Sequence, residues 1–421
     1  MMNHIQADMS GQAMSSTGPL AGLRVLDLTI ALAGPMCSQR MGEMGANIIK
    51  IEAPGGGDFA RYSTMAGITK FGDATTFVTL NRNKRSLILD LKADAGREVL
   101  YRMVRDADVL IQNFRPRVAG RLGIDYATLS AINPRLVYGS ISGYGEDGPL
   151  KDRPGQDLLL QSFAGLTMNA GRTSELPHPS PLYMVDVSAS HLLTEGVLAA
   201  LVARATTGRG QEIKVTMLAA IMEMQVQELT SFMAAEAPPA RSASPQASIY
   251  MEPPYGIYAC QDAHLALAQV DLDSLADVIS VPVLKELKAA RPKQSDSARL
   301  LRWRDDIYDA VAARLREEPM AHWDEVLTRN GLWCGPVNDY ATFLAHPQTE
   351  RYLTTMTHPQ GGDYRTVAPA IRFSEDPMPS LRSSPRYGEH SREILLEAGF
   401  SAAEVDTLFA GKVVQSPEVG A

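Results

Sequence analysis

Histidine and cysteine are scarce in this chain, and so are the patterns in which they do chemistry. The eight histidines are scattered, with no H-x-x-x-H or H-E-x-x-H spacing, which removes the usual ground for a zinc enzyme. The three cysteines, Cys37, Cys260 and Cys334, are widely separated and cannot all pair. A reducing, cytoplasmic setting is expected, with the thiols acting as small buried hydrophobes. No G-x-S-x-G elbow is present and no His/Asn pattern follows Cys37, so serine and cysteine hydrolases lack support. No uninterrupted apolar run approaches the roughly 20 residues that span a bilayer, so a soluble protein with no membrane partner is expected. Residues 1–19 lack the apolar core of a signal peptide and read as a loose, disordered tail. Basic excess is missing too: a net charge of −8 argues against a nucleic-acid surface. Any anionic ligand would have to be held by local cations.

What is present is a globular composition, 45% hydrophobic and 21% charged over 421 residues, long enough for two or three domains. Apolar segments at 23–29, 47–52, 86–91, 109–112 and 136–142 read as strands. Between them lie helical stretches such as 95–105 and one opened by Gly34-Pro35 and closed by Gly45. This alternation predicts a doubly wound α/β domain with a parallel sheet. Such sheets bind nucleotide-like ligands outside the carboxyl ends of their strands, although the G-x-G-x-x-G fingerprint is absent after the first strand. A strand at 212–217 and a long helix at 218–235 follow. The Pro/Ser stretch 237–245 then marks a boundary. Large domain 20–236, smaller α+β domain 237–337 and C-terminal segment 338–421 are the expected divisions.

Two stretches could carry chemistry. Asp186 stands before the apolar helical run 192–204, where an aspartate is a helix N-cap candidate. The competing reading makes it a nucleophile whose carboxylate is oriented by helix amides. The basic turn 81–86 (NRNKRS), together with Arg115, Arg117, Arg121 and Arg135, forms a basic region in an acidic chain. Such a region could grip a phosphorylated small ligand.

The segments 22–27 (GLRVLD), 33–35 (AGP), 44–52 (MGANIIKIE), 57–58 (GD), 83–86 (NKRS), 89–91 (LDL), 133–135 (NPR), 142–145 (SGYG) and 207–211 (TGRGQ) come in a telling order. So do 334–337 (CGPV), 346–348 (HPQ) and 388–390 (GEH). In that order and spacing the chain closely resembles the class III CoA-transferase family, which also holds the α-methylacyl-CoA racemases. The resemblance implies a Rossmann-like large domain and a small domain in a ring-shaped subunit, two of which interlock as a homodimer, with the C-terminal segment returning to the large domain. It implies Asp186 as the catalytic nucleophile, forming a mixed anhydride and then an aspartyl-CoA thioester. Coenzyme A enters as a thioester substrate, and no metal or permanently bound cofactor is implied. By the same resemblance Asn83, Lys84, Arg85 and Arg135 would contact CoA, and Gln156 and Asp157 would support the active site. The alternative is a 2-methylacyl-CoA racemase or epimerase. Racemases similar to this chain carry a His where Gln156 stands, and Gln cannot take a proton. Leu32 replaces the active-site Gln of formyl-CoA transferase, and that enzyme's Gly-rich loop is missing from the small domain. The expected reaction therefore moves CoA from an acyl-CoA, with succinyl-CoA the candidate donor, to a larger carboxylic or dicarboxylic acid.

Overall fold

A computed structural model of the chain describes residues 17–70 and 72–417. Apart from 17–19, the tail at 1–19 lies outside the described residues. Six strands build the central sheet: β1 (Arg24–Asp27), β2 (Asn47–Glu52), β3 (Lys84–Leu89), β4 (Val109–Gln112), β5 (Val137–Ser142) and β6 (Glu212–Thr216). They lie in the order β3-β2-β1-β4-β5-β6 and pair in parallel throughout. A short strand, Val414–Gln415, adds antiparallel to the β3 edge. The fold is thus α/β with a mainly parallel sheet. Its strand order reverses between β1 and β4, where a crevice opens at the carboxyl edge. β1, β3 and β4 are buried almost without interruption, which is why they are apolar runs rather than alternating ones.

Helices α1 (Ala33–Glu43), α2 (Asp157–Phe163), α3 (Met184–Thr207) and α4 (Met217–Met224) bear on the site. Pro35 falls in the first turn of α1, where the missing N–H would have had no partner. Gly45 ends the turn after α1 at φ 103°, and a Cβ there would stand 2.3 Å from the Thr17 carbonyl oxygen. Helix α3 is the one described helix long and apolar enough to cross a membrane. It packs instead on the sheet, as a core helix does: Leu193 and Val197 press on Gly139 of β5, and Gly196 meets Ile213 of β6, with no room for a side chain at either glycine.

The chain forms two compact units. Met1–Gly155, Val185–Ala220 and Arg351–Ala421 make the first; Gln156–Met184 and Ile221–Glu350 make the second. The division read from composition was linear, whereas these units exchange the chain four times, at junctions with no change of composition to mark them. In the second unit, strands Cys334–Pro336, His264–Leu267 and Gly256–Ala259 form an antiparallel sheet. Its core includes Tyr258, Leu275, Ile307, Val311 and Trp323. The single helix expected over 218–235 is two, α4 and Val226–Ala234. The break falls at Gln225, whose buried amide donates to the carbonyls of Ile221 and Ala164. A last helix, Ala402–Ala410, was missed although its capping box of Ser401 and Glu404 stands in the sequence.

His390 locks the C-terminal part to β3. Its amide donates to the Ser86 carbonyl at 3.0 Å, and its Nδ1 accepts from the Ser86 amide at 3.3 Å. Burial, reinforced by the cations of Arg85, Arg382 and Arg386, pushes its pKa down to about 4. The folded value lies below the ordinary 6.5, so on acidification the unfolded chain takes up the proton first. The stabilisation is complete above pH 6.5 and is lost as pH falls towards 4, by up to about 3 kcal/mol. Thermal melts between pH 7 and 4.5 should show this fall, and His390→Asn should flatten it.

Candidate active site

The turns that follow β1, β4 and β5 converge, with the start of α3, on a cavity of about 630 Å³. Ile30, Ala31, Asn113, Phe114, Tyr144 and Asp186 are among its lining residues. All belong to the first unit and lie at the carboxyl edge of the sheet, where a doubly wound fold binds its ligand. Asp186 is half-buried and is the third residue of α3. It sits inside the first turn, beyond the residue that precedes the helix. A carboxylate there is favoured by the positive end of the helix dipole.

The cavity walls are tightly specified. Ile30 and Asn113 pair reciprocally, the Ile30 amide donating to Oδ1 at 3.0 Å and Nδ2 donating to the Ile30 carbonyl at 2.8 Å. Gly143 and Gly155 cross so closely that a Cβ on either would fall within 2.5 Å of the other's Cα. This accounts for the first glycine of SGYG and for Gly155. The Leu218 amide, at the start of α4, donates to the Gly143 carbonyl at 3.0 Å. At the open end of α1, the amides of Leu32 and Ala33 have no acceptor among the described residues, as expected of a helix's first turn.

Phe114 and Val118 also line a second cavity, of about 620 Å³. Its walls are Leu28, Ile51, Leu89 and Leu122, an apolar slot across the ends of β1, β2 and β3. Lys92 and Arg121 stand at it, both exposed and neither with an ion-pair partner among the described residues. Lys92 was overlooked in the sequence; the signal available was its place just after a strand.

Of the basic residues singled out from sequence, Arg121 stands at this second cavity and Arg115 at the first; the residues that the resemblance assigns to CoA lie elsewhere. Lys84 is buried in β3, and its ammonium donates to Asp27 Oδ2 at 2.9 Å, the Pro35 carbonyl at 2.9 Å and Asn81 Oδ1 at 2.8 Å. All three of its protons are used. Burial lowers its pKa to about 8. Burial would raise Asp27, but Lys84 and Lys50 overcome this and hold it below the usual carboxylate range, so the pair is ionised at neutral pH. Arg85 is buried too, bonded to Glu393, Glu397 and Asn47. Asn83, at φ 59°, spends its side chain on the Gly42 carbonyl and the Arg382 amide. All three are buried and bonded within the fold, and none of them lines either cavity. Arg135 is exposed and donates to the Gly208 carbonyl at 3.1 Å. Like Asn83, it precedes its strand, at the amino edge of the sheet and away from the crevice.

Gln156 and Asp157 belong to the second unit. Gln156 precedes α2 without a side-chain capping bond. Asp157 is buried as the first helical residue and accepts from Gln161 Nε2 at 2.6 Å. Cys37 is fully buried, and burial pushes its thiol up to about 12, which makes it chemically inert.

Over residues 20–391 the chain matches the profile of CoA-transferase family III. It is 35% identical to an acetyl-CoA:oxalate CoA-transferase of Acetobacter aceti, over 79% of this chain and 84% of that one. It is 27% identical to a succinyl-CoA:glutarate CoA-transferase of Mus musculus, over 96% and 92%. Among solved structures, a CaiB/BaiF family protein from Brucella suis superposes with a TM-score of 0.76 at 28% identity, covering 91% of this chain and 100% of that one.

Proposed function

The chain belongs to CoA-transferase family III, and from that premise we propose that it moves CoA from an acyl-CoA to a free carboxylic acid through covalent intermediates on Asp186. The observation that carries this reading is the position of Asp186 in a cavity at the carboxyl edge that shares Phe114 and Val118 with an apolar slot flanked by Lys92 and Arg121. In this reading CoA spans both cavities. The adenine lies in the slot against Leu28, Ile51 and Leu89, phosphates meet Lys92 and Arg121, and the pantetheine arm passes Phe114 and Val118 to bring the thioester to Asp186.

The chemistry balances without a proton donor. The Asp186 carboxylate attacks the thioester carbonyl, the C–S bond breaks and CoA leaves as a thiolate, giving a mixed anhydride. The thiolate attacks the Asp186 carbonyl, the donor acid leaves as a carboxylate and an aspartyl-CoA thioester remains. The acceptor carboxylate then attacks that carbonyl and expels the thiolate. The thiolate takes the acceptor's acyl carbon and frees Asp186. A carboxylate is ionised at neutral pH and needs no base, but it is a weak nucleophile. Its reactivity comes from orientation and from donors to the developing oxyanion. The unoccupied amides of Leu32 and Ala33 are assigned that role.

The acceptor in this reading is a dicarboxylic acid. Arg115, Lys151 and Arg153 line the same cavity, are exposed, and have no ion-pair partner among the described residues. They can hold a second carboxylate while the first reacts. Acceptors named for the relatives, oxalate and glutarate, have that chemistry, and succinyl-CoA is the donor to try first. An interlocked homodimer belongs to the same reading. It is supported by helix Val226–Ala234, which buries none of its residues and leaves Val226, Phe232 and Met233 exposed; light scattering should report twice the chain mass.

A panel of mono- and dicarboxylic acids with several acyl-CoA donors, read by mass spectrometry, tests the function. Transfer to dicarboxylates is expected. Exchange of the α-proton without transfer to any acid would contradict the reading. Lys92→Ala and Arg121→Ala are each expected to weaken CoA binding about tenfold, the loss of one charge-assisted phosphate contact, measured by calorimetry.

A further inference from the structure

Asp58 has no part in the chemistry above, yet it is fully buried and ties together two separate pieces of the cavity wall. Its Oδ1 accepts from the amide of Ala31 at 3.1 Å and from the amide of Ala60 at 3.0 Å. Its Oδ2 accepts from Lys50 Nζ at 2.9 Å, and Lys50 donates in turn to the Thr29 carbonyl at 2.8 Å. The turn after β1 is therefore held at Thr29 by the ammonium and at Ala31 by the carboxylate. Through the Ala60 amide the same oxygen caps the one-turn helix Phe59–Arg61. Ala31 and Phe59 both line the cavity that contains Asp186.

Ala31 adopts φ 69°, a left-handed conformation that alanine avoids unless its surroundings impose it. Nothing in its own side chain favours it. The bond from its amide to Asp58 is the restraint that holds it. Leu32 and Ala33, the second of which lines the cavity, follow directly.

We propose that the buried Asp58–Lys50 pair is a positioning device for transfer, holding the turn 29–31 in its left-handed form so that the first amides of α1 and the Phe59 ring face the reacting group. The inference rests on Asp186 being that group. Asp58 touches no substrate; it acts through Ala31 and Ala60. Its signature is consequently a loss in kcat rather than in CoA affinity, since a small displacement of groups around a reacting centre costs on the order of 100-fold.

Three variants and one control test this. Asp58→Asn keeps the size of the side chain but faces the Lys50 ammonium with a neutral amide. It is expected to lower kcat about 10- to 100-fold with KM for the acyl-CoA nearly unchanged. Ala31→Val leaves the buried pair intact but puts a β-branched residue where φ is positive, and should lower kcat in the same way. Adding Ala31→Gly to Asp58→Asn removes the conformational penalty and should restore much of the lost rate. A merely structural Asp58 would give no such rescue. Wild-type kcat in Asp58→Asn, or a loss that Ala31→Gly does not recover, overturns the proposal. If Asp58→Asn does not fold, Ala31→Val decides alone, and wild-type kcat in it overturns the proposal. Covalent labelling of Asp186 in the wild type, run in parallel, separates the two ideas: a labelled enzyme indifferent to these variants contradicts only the positioning role, and an active but unlabelled one contradicts the role of Asp186.

Discussion

Asp186→Asn and Asp186→Ala should each abolish CoA transfer, a loss on the order of 10⁴-fold or more, as removal of an obligatory nucleophile causes. In the proposed reaction every acyl or CoA group passes through a bond to this carboxylate, so no parallel route bypasses it. The amide of Asn occupies nearly the same volume but cannot form an anhydride. Asp186 is half-buried at the mouth of α3, and the helix is fixed on the sheet by Leu193, Val197 and Gly196, so the fold should survive. Melting temperature and CoA affinity are expected to stay near the wild-type values while turnover disappears. An effect confined to KM would mean that Asp186 only binds substrate.

Lys84→Met should instead damage the fold. The substitution leaves Asp27 ionised in the core, without the ammonium at 2.9 Å that neutralises it. Breaking a buried pair from one side costs about 3–5 kcal/mol, which for a domain of this size lowers Tm by roughly 6–20 °C. The contrast with Lys92→Ala is diagnostic, because that change should weaken CoA binding at an unchanged Tm. If Lys84→Met raised the Kd for CoA and left Tm alone, the sequence-based assignment of the NKRS turn to the phosphates would be restored.

That pair of residues also shows what the sequence could convey. Apolar runs and their spacing located the strands closely: the one expected at 109–112 is observed as Val109–Gln112, and the alternation implied the parallel sheet. The place of Asp186 at the head of a helix was legible from the apolar run that follows it. The burial of the basic turn was not legible, because charge in a sequence does not say whether a side chain is buried. Lys84 and Arg85 sit in a strand that the eye starts two residues later, at Ser86. Direction was the missing consideration. In a doubly wound sheet, residues before a strand lie at the amino edge and residues after it line the crevice. By that rule Asn83 and Arg135 fall at the amino edge, and Lys92 and Arg121 on the side of the crevice. The exchanges of chain at Gly155 and Val185 have no local cause in composition and were not readable.

Mass spectrometry of the Asp186 peptide is the most direct measurement of the central claim. The enzyme is incubated with an acyl-CoA donor, quenched with hydroxylamine or borohydride during turnover, digested and mapped. Modification at Asp186, absent from enzyme that has seen no donor and from Asp186→Asn, is the expected result. Full turnover with Asp186 never modified, or a modification lodged on another residue, would contradict the account.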